Sequence, residues 1–429
     1  MTATNTATQS TATTATESPA EILGQPLILK SGVTLKNRFA KSAMSETLGT
    51  AEGEPTPMLA KLYQAWARGG TGLLITGNVM VDRRCLGEPN NVVFEDERFL
   101  PAIREWAQAA TENNTHAWVQ LNHPGKQSPG MLSKQPMAPS AIPLAKELRS
   151  FFNPPRAMTE EDIHQQIENF GRAAGIAKQA GFTGVQIHGA HGYLVSQFLS
   201  PHHNQRTDQW GGSIENRARF VLAVYRSIRA AVGESFPVAI KMNSADFQRG
   251  GFTEDESMLV AEMLADAGMD LIEISGGNYE SPSMTGLNVK ESTKAREAYF
   301  LTYAETVRQR IDTPLMVTGG FRTHQGMAAA VRSGATDLAG LGRPLVIEPD
   351  FPSRILRGES FTSQVRPRLT GIKAIDERAM METAWYTNQL KRIAQGKGPK
   401  VNEHPLVAFL RYLTVSSLRG VKIQRLRAR

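Results

Sequence analysis

Two histidines and a tyrosine stand close together directly after a short apolar segment. Gly184–Ile187 has the β-rich composition of a buried strand, and an apolar-periodic helix begins after Ser213. His188, His191 and Tyr193 are therefore predicted in a loop between a strand and a helix. In a parallel α/β barrel, loops of this kind face the active-site end.

The same histidine pair leaves a second chemistry open. Histidines three residues apart are compatible with a metal site, and His123 or His202 could complete it, as in a zinc hydrolase that uses His188 and His191. The loop lacks a carboxylate third ligand at a familiar spacing, so the predicted set contains no metal ligand.

Two turns combine glycines with an arginine. They are Thr318-Gly319-Gly320-Phe321-Arg322 and Gly340-Leu341-Gly342-Arg343. Glycines let backbone amides approach a phosphate closely, and an arginine can bind it with two parallel hydrogen bonds. Since both turns follow the predicted seventh and eighth strands, where barrels often bind phosphate, the sequence predicts a phosphate site there.

The ends of the other predicted strands supply polar groups at the same end of the predicted barrel, its mouth. A ring of such donors suits a flat heterocycle with a phosphate tail, with a glutamine at an amide-like edge and a lysine at the edge that becomes anionic on reduction. A flavin fits this set better than a sugar phosphate. The residues are Ser42, Ser45, Gly77, Asn78, Gln120, Asn122, Lys241 and Asn243.

Eight strand-like segments alternate with helical ones from Leu27 onward. This alternation predicts a (β/α)8 TIM barrel. A doubly wound sheet is disfavoured, because no G-x-G-x-x-G follows the first strand and no phosphate-binding P-loop motif occurs. The predicted strands are 39–44, 72–76, 117–121, 184–187, 238–242, 271–274, 315–317 and 337–340. The predicted helices include 102–112, 160–180, 215–232, 255–267, 298–310 and 324–333.

The sequence predicts that the chain is divided into a tail, a barrel and a C-terminal extension. Residues 1–22 are Thr/Ala-rich and predicted to be a disordered tail, 23–360 the barrel, and 361–429 a C-terminal helical extension with a helix near 374–394 and a basic tail. A β-hairpin around Ser31-Gly32 could plug the bottom of the barrel. The proline-rich segment from Pro124 to Pro155 is too long for an ordinary connection and is predicted to be a lid.

Composition excludes several classes of protein. One cysteine, Cys85, cannot bind an iron–sulfur cluster or make an internal disulfide bond. Most of the net charge of +7 lies in the last 19 residues, so a nucleic-acid partner is not expected. With no long apolar run and no signal peptide, the protein is expected in the cytoplasm, away from membranes, as a monomer or homodimer.

The chain resembles the Old Yellow Enzyme family of FMN-dependent ene-reductases from about Leu27 to Pro352. Its motifs stand in order as H-G-A-H-G-Y-L, Q-F-L-S-P, Asn204-x-Arg206-x-Asp208 and G-G-S-I-E-N-R-x-R-F. The strand-one stretch, Gln120, Lys241 and both phosphate turns also correspond. One departure is Ala43-Met44-Ser45, where members commonly carry Pro-Met and then Thr or Cys, the residue that tunes the flavin potential in the family.

The resemblance implies a ping-pong NAD(P)H oxidoreductase with tightly but non-covalently bound FMN. NADH or NADPH reduces the FMN, and an α,β-unsaturated carbonyl compound then accepts hydride at Cβ. His188 and His191 would stabilise the enolate oxygen, and Tyr193 would give a proton to Cα. A non-catalytic flavin-binding module is a further alternative. The implied FMN-binding residues are Ser42, Ala43, Met44, Ser45, Asn78, Gln120, Lys241, Gly319, Gly320, Gly342 and Arg343.

Overall fold

The computed structural model describes residues 17–281, 297–298, 300–372, 376 and 380–427. Among them, eight parallel strands form a closed ring, because β4 pairs with both β3 and β6. The predicted (β/α)8 barrel is thus confirmed. The barrel strands are β3 (Phe39–Lys41), β4 (Leu73–Ile75), β6 (His116–Asn122), β9 (Gly184–Gly189), β10 (Val238–Asn243), β11 (Leu271–Ser275), β12 (Leu315–Thr318) and β13 (Leu338–Leu341). The shorter β5 (Val79–Met80) pairs with the end of β6.

Helices follow the strands and cover the outside of the barrel. α4 shows why one forms: Thr159 and Asp162 make a capping box at its start, and Gly181, at φ 99°, ends it. The helices are α1 (Pro19–Gly24), α2 (Pro57–Arg68), α3 (Leu100–Ala110), α4 (Glu160–Ala180), α5 (Leu194–Leu199), α6 (Ile214–Val232), α7 (Glu254–Asp266), α8 (Leu301–Arg308), α9 (His324–Arg332), α10 (Arg343–Ile347), α11 (Phe351–Leu356), α12 (Met380–Ala394) and α13 (Pro405–Arg427).

The barrel interior is apolar at its lower end. β1 (Leu27–Ile28) and β2 (Thr34–Leu35) pair as an antiparallel hairpin, as predicted. Leu27, Leu29 and Leu35 belong to one buried cluster with inward residues of the barrel strands, including Trp118 and Met316. The polar residues that follow in the barrel strands therefore lie above an apolar layer, which we call the apolar base.

The segment after β6 has structure of its own. β7 (Met137–Ala138) pairs in parallel with β8 (Arg156–Ala157), and Pro129 pairs with Phe152. The segment predicted as a lid, Pro124 to Pro155, is therefore held together by short β-pairings of its own, and we call it the lid segment.

The C-terminal helices pack onto the barrel. Arg343 donates to Glu382 of α12 at 2.6 Å, and Trp385 Nε1 donates to the carbonyl of Glu403 at 3.0 Å. α13 then contacts the loop that follows β3, where the Arg419 guanidinium donates to the carbonyl of Thr47 at 2.8 Å. Ile423 of α13 is buried in a cluster with side chains that include Leu132 of the lid segment.

Both ends of the chain bear on the predicted boundaries. α1 occupies residues 19–24, so the end of the predicted disordered tail is a helix with a capping box formed by Ser18 and Glu21. Residues 1–16 lie outside the described residues, as does part of the predicted helix near 374–394. Within the part of the chain that is described, no helix has the length and apolarity to cross a bilayer.

Candidate active site

A buried polar network fills the barrel above its apolar base. In a strand, every second side chain faces the same side, so Ser42 follows Ala40 into the interior and Lys241 follows Ala239. Lys241 Nζ lies 2.9 Å from Glu273 Oε1 and donates to Ser42 Oγ at 2.9 Å. The lysine that sequence analysis placed beside the flavin thus has a fully buried counter-charge.

The network runs through further strands. Glu273 accepts hydrogen bonds from Ser42 at 2.6 Å, Thr318 at 2.7 Å and Gln186 at 2.7 Å, and Gln120 Nε2 donates to Gln186 Oε1 at 2.8 Å. Burial alone would raise the pKa of Glu273. Lys241 and the hydroxyl donors outweigh that effect and hold the pKa of the carboxyl below its usual value.

Sequence analysis missed Glu273 and Gln186. Both had a usable signal. Glu273 is the one charged residue of a buried strand, Leu271–Ser275, and a charge in such a place needs a buried partner. Gln186 lies two residues before His188 and so shares its face of the strand.

The predicted catalytic residues lie together above this network. The His188 ring is 5.2 Å from the His191 ring and 4.7 Å from the Tyr193 ring, both in edge-on contact. His188 does not lie in the loop that follows the strand, where it was expected. β9 continues through Gly189, because His188 and Gly189 pair with Lys241 and Met242 of β10.

His191 has an unusual backbone conformation. Its φ of 61° lies in the left-handed region, which costs a residue with a side chain about 1–3 kcal/mol. The conformation is held by its N–H, which donates to Asn243 Oδ1 at 3.1 Å, and by a bridge to Asn278. The next residue, Gly192, has φ 76°, and a Cβ there would lie 2.6 Å from Gln127 Oε1. Such strain is typical of a functional turn.

Burial keeps the two histidines uncharged near neutral pH. It lowers the pKa of His188 well below 6.5, and His191 and Lys241 lower it further. Burial and Lys241 likewise lower the pKa of His191. His188 Nδ1 accepts from the Ala190 N–H at 3.4 Å, so the neutral ring carries its proton on Nε2. His191 Nε2 lies 2.8 Å from Ser275 Oγ, and both rings can serve as neutral donors.

The end of β3 brings further predicted residues to the mouth. Ser45 donates a short hydrogen bond to Glu88, a carboxyl whose pKa is raised by burial. Met44 lies within van der Waals distance of the position that a Cβ on Gly342 would take. Ala43 is partly buried against the apolar base, and Asn78 Oδ1 accepts from Asn91 at 3.4 Å.

The two glycine turns lie where the sequence placed them. Gly319 and Gly320, directly after β12, have φ values of 110° and 97°, and Gly342 precedes α10. Successive backbone N–H groups in a turn can form a concave site that binds an anion such as phosphate. Arg343 at the start of α10 is partly exposed and ion-paired with Glu382.

These residues fit a flavin phosphate cofactor. Asn122 is fully buried, and neither its amide oxygen nor its nitrogen has a protein partner. Because it lies two residues after Gln120, it faces the same interior. An unpartnered amide of this kind needs a ligand atom. With the Lys241 ammonium and the glycine turns, the donor set matches a ring with a phosphate tail.

The metal alternative finds less support. In the described part of the chain, three potential ligand atoms approach one another within 4.8 Å in two groups, Asp82/Cys85/His123 and His202/His203/Glu280. Neither group contains His188 or His191, so the pair lacks a third ligand there.

Comparisons with known proteins agree with this geometry. A family model described as the NADH:flavin oxidoreductase / NADH oxidase family matches residues 23–360. The NADH-dependent flavin oxidoreductase iccE of Talaromyces variabilis is 35% identical over 412 residues, which cover 87% of this chain and 98% of the relative.

Solved structures are similar as well. An old yellow enzyme homologue from Zymomonas mobilis superimposes with a TM-score of 0.68 at 26% identity, covering 80% of this chain and 94% of the other. Morphinone reductase in complex with tetrahydroNAD gives a TM-score of 0.67 at 25% identity, covering 80% and 92% of the two chains.

Proposed function

Since the chain belongs to the NADH:flavin oxidoreductase / NADH oxidase family, we propose that it is an FMN-dependent ene-reductase for α,β-unsaturated carbonyl compounds. The predicted membership of the Old Yellow Enzyme group is confirmed, and the protein is an oxidoreductase. FMN, when bound, supplies a hydride that it has received from NADH or NADPH. The remaining steps belong to side chains of the protein.

The observation that carries the proposal is the uncharged cluster of His188, His191 and Tyr193 above a buried lysine. A substrate carbonyl oxygen gains negative charge when hydride reaches Cβ. Two neutral imidazole N–H groups can stabilise that charge, and loss of one such donor typically costs about 2.7–4 kcal/mol of barrier. Tyr193 remains protonated near neutral pH, because burial raises its pKa well above 10, and it can therefore give a proton to Cα.

Lys241 and Gln120 would hold the flavin ring from inside the barrel. Lys241 Nζ donates to Ser42 Oγ inside the barrel, and the Gln120 amide is oriented by Gln186. The glycine turns and Arg343 would hold the phosphate. Ser42, Ala43, Met44, Ser45 and Asn78 would line the ring from the β3 and β4 ends.

The name morphinone reductase supports a ketone-conjugated C=C bond as the substrate class. The curated relative supports NADH as the reductant. The small-molecule partner of this chain is therefore proposed as an enone or enal, reduced by a ping-pong cycle.

The test is Tyr193→Phe in the FMN-loaded enzyme, with the two half-reactions followed separately. Flavin reduction by NADH should keep its rate. Reoxidation by 2-cyclohexen-1-one should slow by about 10²–10⁴-fold, the usual contribution of a general acid. An equal loss in both half-reactions would exclude Tyr193 as the proton donor.

A further inference from the structure

Tyr279 is a partner of Tyr193 that reaches the protein surface. The two hydroxyl oxygens are 2.8 Å apart, and either can donate the hydrogen bond. Tyr193 is only 8% exposed, whereas Tyr279 is 38% exposed. The hydrogen bond therefore links the buried Tyr193 hydroxyl to a residue that is partly exposed.

The loop that carries Tyr279 is fixed from two sides. Asn278 Oδ1 accepts from the N–H groups of Glu280 at 2.9 Å and Ser281 at 2.8 Å, which closes a tight turn. Glu280 Oε1 accepts from the N–H of Ala145 in the lid segment at 2.6 Å. Because backbone groups hold both neighbours, the Tyr279 hydroxyl is preorganised toward Tyr193.

The surroundings make this hydrogen bond important. Once Tyr193 gives up its proton, a phenolate is left in a buried site, which is costly without a donor. Burial raises the pKa of Tyr279 to about 12, and it raises the pKa of Tyr193 well above 10, further increased by Tyr279. Both hydroxyls thus start protonated at neutral pH, and Tyr279 can donate.

We propose that Tyr279 is a proton-relay residue that acts through Tyr193. The inference rests on the proposed ene-reduction. As hydride from reduced FMN forms the Cβ–H bond, the Tyr193 O–H bond breaks and its proton forms the Cα–H bond. The Tyr279 proton moves to the Tyr193 oxygen in the same step, and Tyr279 then takes a proton from water and leaves hydroxide to the buffer.

The test is Tyr279→Phe in the FMN-loaded enzyme. Flavin reduction by NADH should be unchanged, which also shows that the variant is folded. Reoxidation by 2-cyclohexen-1-one should slow by about tenfold to a hundredfold, because a hydrogen bond to a charged group is lost. Phenol binding, read from its charge-transfer absorbance with the flavin, should be unchanged. Tyr225→Phe is the matched control, since its hydroxyl accepts from Arg229 at 3.3 Å, and Arg229 pairs with Asp270 directly before β11, at the opposite end of the strand from the site.

Two readouts separate a relay from a structural role. Plotted against the fraction of D2O in the solvent, the wild-type reoxidation rate should fall along a curve, since two protons move in one step. The Tyr279→Phe rate should fall along a straight line, since one proton moves. In the Tyr193→Phe background, Tyr279→Phe should cause no further loss.

Three results would overturn the relay: reoxidation of the variant within twofold of wild type, equal losses in both half-reactions, or additive losses in the double variant. If wild-type protein fails to reduce the enone at all, the proposed function fails instead.

Discussion

The buried ion pair of Lys241 and Glu273 sets the local charge in the interior of the barrel. An isolated ammonium would favour an anionic reduced flavin, but Glu273 neutralises part of its charge from 2.9 Å away. The charge felt by a flavin is therefore that of the pair, with Ser42 and Thr318 holding the carboxylate in place.

Glu273→Gln should raise the midpoint potential of the bound flavin. The substitution keeps the shape of the side chain but removes the counter-charge of Lys241, so the anionic reduced form is stabilised. We expect a rise of about 30 mV or more, which for a two-electron couple corresponds to ~1.4 kcal/mol. Redox titration monitored by visible absorbance measures it.

Glu256→Gln is the control for this variant, because Glu256 pairs with Arg217 outside the barrel interior and should leave the potential unchanged. An unchanged or lower potential in Glu273→Gln would show that Glu273 does not oppose Lys241 in the flavin-loaded protein.

Individual residues also show how far sequence reasoning reaches. His188, His191 and Tyr193 could be predicted, because their motif follows a recognisable strand. The partners Ser275 and Glu88 could not, since each acts through a contact between segments distant in the chain. Such contacts depend on strand order and register.

At the element scale, the strand ends and the turns after them position the site. The eight strands were predicted to within a few residues, because each is a short apolar run bounded by polar or glycine residues. β9 is longer than predicted, since the polar His188 continues the ladder with β10. The helix α2 was not predicted, although Pro57 marks its first turn and its apolar residues face the core.

Gly320→Ala should weaken FMN binding through the backbone. At φ 97° a Cβ is unfavourable by about 1–2 kcal/mol, and relief of that strain would turn the backbone amides away from a phosphate. We expect more free FMN after dialysis of the variant, measured by fluorescence of the filtrate.

Gly334→Ala provides the matched control. Gly334 also has a left-handed φ, of 77°, but follows α9 and has open space around it. Both variants should lose similar stability, and only Gly320→Ala should lose FMN. Equal FMN retention in the two variants would remove the Gly319-Gly320 turn from the phosphate site.

In the molecule as a whole, one barrel carries the site and the C-terminal helices pack onto the barrel and its loops. The family model ends at residue 360, whereas α12 and α13 lie beyond it. Contacts of Arg419 with the loop after β3, and of Gln424 with Met131, place α13 beside the lid segment. The basic charge of this region suggested only a tail, because the contacts that bury Ile423 and partly bury Arg419 depend on the folded barrel.

The proposed function requires that this fold holds FMN and passes hydride from a nicotinamide to an activated C=C bond. The most direct measurement is an anaerobic absorption spectrum of the purified protein after addition of NADH and then 2-cyclohexen-1-one. We predict flavin bands that bleach with NADH and return with the enone, at one equivalent of each. A protein that stays colourless after incubation with FMN would contradict the proposed cofactor. A reduced flavin that the enone does not reoxidise would contradict the proposed ene-reduction.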